Sequence, residues 1–145
     1  MFNKNFLLLF CLVFFSSQLS ADELDNRFNI QDIKRCKSKF GSEVAYSTCL
    51  DSVLSDKIRE LKTWHKSIDL KLQEISSYNG RRDAMVLFKK SSQTFDKFKE
   101  NNCKWQYLSL LPDIYAAGNM SKECHIYMTI QRINELRQLN DFDFY

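Results

Sequence analysis

The stretch SVLSDKIRELKTWHKSIDLKLQEISS, Ser52–Ser77, decides the fold class. Leu54, Ile58, Leu61, His65, Ile68, Leu72 and Ile75 recur at alternating steps of four and three, which draws one apolar stripe along a helix and leaves the charged residues on the remaining faces. No glycine or proline interrupts it. The next stretch repeats the signal: Ala84, Leu87, Phe88, Ser91, Phe95, Phe98 and Asn102 share a face of a helix from about Arg82 to Asn102, with Phe95 and Phe98 at core positions. Joined near Tyr78-Asn79-Gly80, the two helices are expected to pack as an antiparallel hairpin.

Working outward, only three glycines and one proline occur in 145 residues, against a usual share of about 12%. That excludes hairpin-rich β folds, collagen and glycine-cradled phosphate sites. Gly41, Gly80 and Gly118 read as punctuation between four helical segments. Phe28, Ile30, Ile33 and Phe40 form a weaker first helix, and Ile126, Ile130, Ile133 and Leu136 mark a last one from about Ser121 to Gln138, with Asn119 or Ser121 as its cap. Between Lys104 and Ala117, Trp105, Tyr107, Leu108, Leu110, Leu111, Ile114 and Tyr115 surround Pro112. This connection is expected to fold back and close the core, a binding surface being the alternative. The fold class is therefore all-α: one small helical bundle around a long central antiparallel helix hairpin.

Met1–Ala21 has Lys4, an apolar run from Phe6 to Phe15, then Ser16, Ser17, Ser20 and Ala21, the three parts of a secretory signal peptide. The run is well below the roughly 18 residues needed to span a bilayer, so no stable membrane anchor is expected. Cleavage after Ala21 leaves a single domain, 22–145, in the periplasm or outside the cell. Losing Lys4 takes 21 basic side chains against 18 acidic to 20 against 18, a net of +2. A nucleic-acid partner calls for a strongly basic face, and here acids and lysines interleave.

Removing Cys11 with the leader leaves Cys36, Cys49, Cys103 and Cys124, an even count that points to two disulfides in an oxidising compartment. Spacings of 13, 54 and 21 are too wide for paired zinc ligands. Three connectivities are possible. The hairpin returns Cys103 to the neighbourhood of Cys49, with Cys36 and Cys124 one short connection away. Pairing Cys36 with Cys49 and Cys103 with Cys124 then needs the least rearrangement, and a crossed pairing is the alternative.

From Phe95 onward the chain resembles the LprI-like lysozyme-inhibitor family of small exported proteins. The resemblance is carried by Phe95, Phe98, Lys99-Glu100 and Cys103, then by Gly118, Cys124, Thr129, Arg132 and Leu136, with Cys36 and Cys49-Leu50 as the first cysteine pair. Phe95 stands where the family usually has Trp, Ser92 where it has Gln, and Leu61-Lys62 where it has Leu-Asn. Most of these positions read as scaffold; Arg132 is expected to pair with Glu100 or helix-end carbonyls. The resemblance implies an inhibitor of lysozyme or another peptidoglycan hydrolase, acting by occlusion of a sugar cleft.

For catalysis the chain offers two histidines, His65 on the apolar stripe and His125 beside a cysteine, and no nucleophile or metal signature. No catalytic residue, metal or cofactor is expected. Binding through a protein surface is the favoured class. Arg81 and Arg82 at the hairpin tip are the first candidates to meet cleft carboxylates, with Trp105 and Tyr107 as a second candidate surface. The tail Asn140–Tyr145 alternates acidic and aromatic residues and is expected to fray or to tuck against the core, docking on a basic partner being the alternative. An exported immunity or envelope-interaction protein on the same scaffold, with a different protein partner, is the alternative function.

Overall fold

Where apolar residues recur every three to four positions the backbone coils into helix, and the computed structural model, which describes residues 30–39 and 41–140, contains four. They are α1 (Gln31–Lys39), α2 (Glu43–Asn79), α3 (Asp83–Ser109) and α4 (Ile114–Asn140). The leader and the residues after Asn140 lie outside the described residues, as do Phe28 and Phe40. Among the described residues no helix is long and apolar enough to cross a membrane.

Each end has a local cause. Ser42 caps α2 by accepting from the Ala45 N–H at 3.3 Å, so the helix begins nine residues before Ser52 and runs for 37. It ends at Gly80, whose φ of 73° is the left-handed geometry that glycine adopts without penalty, its N–H donating to Ser76 O. The last helix also starts earlier than its apolar period suggests. Asp113 Oδ1 accepts from the N–H groups of Tyr115 and Ala116 at 3.1 and 3.0 Å, which makes Asp113 the cap and places Asn119 and Ser121 inside α4. Gly118 is therefore helical rather than a boundary.

The long helices run up, down and up. Between α2 and α4 the paired residues rise together, from Glu43 with Asn119 to Glu60 with Arg137 and Ser67 with Asn140, so these two helices are parallel. Between α3 and α4 they run in opposition. The hairpin of α2 and α3 is present, and α4 packs along both of its arms.

Both local cysteine pairings are formed: Cys36–Cys49 joins α1 to α2, Cys103–Cys124 joins α3 to α4, with Cα separations of 5.7 and 5.5 Å. Ile33, Cys36, Leu50, Val53 and Ile126 form one core cluster, and Cys103, Cys124 and Met128 another. A third, Leu61, Ile68, Ile133 and Leu136, lies further along α2 and α4. Phe95 is half-buried against the Cys103 cluster as expected, whereas Phe98 is 59% exposed. Phe98 is five positions before Cys103, which sets it about 140° round the helix from the residue that meets α4 and leaves it in solvent.

Two outcomes follow. The double substitution C103A/C124A is expected to lower the unfolding free energy by about 2–4 kcal/mol, read from urea denaturation. Gly118→Ala, whose new Cβ meets nothing within 4 Å, is expected to raise stability by about 0.5–1 kcal/mol, because the helix no longer restrains a glycine.

Candidate functional site

The tip of the hairpin is a hydrogen-bonded turn. Asn79 Oδ1 accepts the Arg81 N–H at 2.9 Å, Gly80 reverses the chain, and Arg81 Nη2 donates to Asp83 Oδ2 at 2.6 Å. That hydrogen bond holds the exposed Asp83 carboxyl below its ordinary range. The guanidinium of Arg81 is thus already matched, while Arg82 makes no ion pair among the described residues. Tyr78 is 87% exposed beside them. Beneath the turn, Ile75, Ala84 and Leu87 help line a shallow groove of about 360 Å³. Asn140, the last described residue of α4, meets Ser67 and Lys71 of α2. From Leu72 the two hairpin arms go on past that point by roughly 12 Å, at 1.5 Å per residue.

Inside the bundle Arg132 is buried rather than joined to Glu100. Its Nη1 donates to Glu135 Oε2 at 2.7 Å and its Nη2 to Ser91 Oγ at 3.4 Å, and the guanidinium carbon lies 5.5 Å from the centre of the Phe95 ring. The register of α3 against α4 explains the correction: it brings Ser91 and Phe95 to Arg132 and sets Glu100 beside His125, at 3.9 Å. One cation therefore ties the two helices. His65 stands edge-on to Phe88, ring centres 5.7 Å apart, as a half-buried residue at the margin of the core. His65 Nε2, Thr129 Oγ1 and Arg132 Nε are buried without a hydrogen-bond partner among the described residues. There, too, no group of three His, Cys, Asp or Glu is arranged to hold a metal.

The apolar connection does not close the core. Lys104–Ser109 simply continues α3, and only Leu110–Asp113, with a cis Leu111–Pro112 bond, is turn. Continuing the helix carries Trp105 and Leu108 round to its outer side, where no further element covers them. They are 59% and 53% exposed, and Leu111, Ile114 and Tyr115 are exposed beside them. Tyr107 is half-buried. Trp105 Nε1 donates to Asn102 Oδ1 at 3.1 Å, which fixes its ring on the surface. The tip arginines and Trp105 do not share a site; about 35 Å of α3 separates them. Apolar periodicity passes over Lys90, Lys97 and Lys104, whose signal is a strict seven-residue repeat on the same outer side of α3.

Compared with family models, curated proteins and solved structures, the chain matches none. The geometry itself thus defines the candidate surfaces.

Both histidines are held below their ordinary value of 6.5. For His65 burial is the first cause and the Arg132 charge the second; for His125 burial outweighs the upward pull of Glu100. As pH falls through about 6.5 the unfolded chain takes up these protons first, so the histidines' contribution to stability is flat above that pH and declines below it. His65→Gln is expected to flatten part of that acid-side decline. Urea midpoints of variant and wild type between about pH 7.5 and pH 5 check it, and parallel profiles would exclude His65 as a source.

Proposed function

We propose that the protein is an exported helical binding protein that inhibits lysozyme or a related cell-wall hydrolase, by seating the α2–α3 tip in the enzyme's cleft. The observation that carries this reading is the hydrogen-bonded tip, with Tyr78 outward and Arg82 without an acidic partner among the described residues. A glycosidase cleft presents a pair of carboxylates roughly 5–9.5 Å apart. A guanidinium meets such a group with two parallel N–H donors, and a tyrosine ring offers a broad face where a sugar would lie. Both side chains stand on a turn tied by Asn79 and Gly80, so little freedom is lost on docking. The resemblance in cysteine spacing supports the same class of target. So does the oxidised framework, which fits a protein working outside the reducing cytoplasm.

Inhibition in this scheme involves no chemistry by the inhibitor. The tip fills the volume that the polysaccharide needs, and the enzyme's acid and nucleophile remain intact beneath it.

Titration of the oxidised protein into several lysozymes, followed by lysis of bacterial cells, tests the reading. Activity is expected to fall with a stoichiometric endpoint for at least one enzyme. The pair Tyr78→Ala and Arg82→Ala is expected to weaken inhibition by roughly tenfold or more with an unchanged unfolding curve, and Trp105→Ala to leave it intact. Undiminished lysis at excess inhibitor across the panel would remove the hydrolase reading and favour an immunity or envelope-interaction partner for the same scaffold.

A further inference from the structure

The outer side of α3, from Lys90 to Leu108, carries a surface that the tip does not use. Phe98, Trp105 and Leu108 are spaced seven and three apart, which aligns them on one side of the helix, and each is more than half exposed. Alongside run Lys90, Lys97 and Lys104, exposed and about 10 Å apart, at 1.5 Å per residue. Elsewhere on α3 Lys89 pairs with Asp69 and Lys99 with Asp96, while Glu100 stands near the ring of His125. Lys90, Lys97 and Lys104 take part in no ion pair among the described residues. Between Ala84 and Leu108 the acids are Asp96 and Glu100 alone; both lie across the helix from Phe98 and Trp105, and Glu100 borders the lysine row, one turn from Lys97 and Lys104.

We infer that this face of α3 binds the surface of an anionic phospholipid bilayer. A row of cations on a straight helix meets a plane of phosphates without a shaped pocket, and each lysine can extend its ammonium into the headgroup layer while its methylenes stay against apolar neighbours. Trp105, with its ring N–H already satisfied by Asn102, has the character of residues that settle at the boundary between headgroups and acyl chains. Phe98 and Leu108 enter below it. The occupant is set by charge: three lysines beside large apolar side chains, with Glu100 the one carboxylate at the edge of their row, leave a net positive face that complements an anionic apolar boundary. Such a contact, made by one side of a helix, lies at the surface of the bilayer. The bundle lies on its side with the hairpin tip about 12 Å beyond Lys90 and about 35 Å from Trp105 along α3, free to meet a soluble target.

The test is cosedimentation of the oxidised, processed protein from an exporting host with vesicles. One set is phosphatidylglycerol with phosphatidylcholine, the other phosphatidylcholine alone. Binding is expected with the anionic vesicles only, weakening as salt rises, with a blue shift of tryptophan emission that Trp105→Phe abolishes. The double reversal Lys97→Glu with Lys104→Glu is expected to reduce partitioning more than tenfold. A charge-matched pair on an exposed part of α2, Lys62→Glu with Lys66→Glu, should retain most of it. Helical circular dichroism and a cooperative melt in both variants establish that each is folded. Absence of pelleting, equal pelleting with neutral vesicles, or equal losses in the two reversals would each overturn the inference. Retention on immobilised polyglutamate without vesicle binding would also overturn it, in favour of an acidic protein partner.

Discussion

The bundle depends on the burial of α4 on two sides at once. Cys124 and Ile126 lie two positions apart, so at 100° per residue they point to opposite sides of the helix. Cys124 meets Cys103 and Met128 in the cluster shared with α3, while Ile126 fills the cluster shared with α1 and α2. Both are fully buried. Each side also ends in a covalent bond, Cys103–Cys124 on one and Cys36–Cys49 on the other. Without α4 the arms of the hairpin would share little more than the edge contact of His65 with Phe88 and the Lys89–Asp69 pair.

That arrangement forces α2 and α4 to run parallel, an orientation a short turn cannot produce. α3 serves as the crossover, and the seam between the parallel helices is polar along its margins. Tyr46 donates to Glu123, with burial first and that carboxylate second in holding the phenol well above its ordinary range. Lys122 reaches Asp51 at 2.6 Å and Arg137 reaches Glu60 at 2.8 Å. Such exposed pairs add little stability individually, but they fix which turn of α4 faces which turn of α2. Arg132 does the corresponding work on the α3 side from a buried position, where a slip by one residue would strand its charge.

The two ends of α3 differ in chemistry. The tip is small, polar and tied by hydrogen bonds; the other end of α3 is broad, apolar and basic. α3 carries both surfaces and is joined at Cys103 to the buried α4, so a single helix sets their spacing.

Several features were legible in the chain. The alternation of four and three from Leu54 to Ile75 is enough for a helix, because a period near 3.6 buries one face in no other regular structure. Four cysteines with the hairpin between them favoured the two local bridges. Other features depended on the assembled fold. Helix ends were misplaced because capping turns on a side chain reaching particular N–H groups: Ser42 and Asp113 do so, and Asn119 does not, its amide being drawn to Glu43 instead. Phe95 and Phe98 are indistinguishable by residue type, yet only one faces α4. Trp105 and Leu108 are as apolar as any core residue and are nonetheless exposed. By itself the sequence determined that the chain is helical, where its long stripes run and which cysteines are close; the tertiary structure alone decided which apolar residues stay in water, since burial depends on whether another helix arrives to cover them.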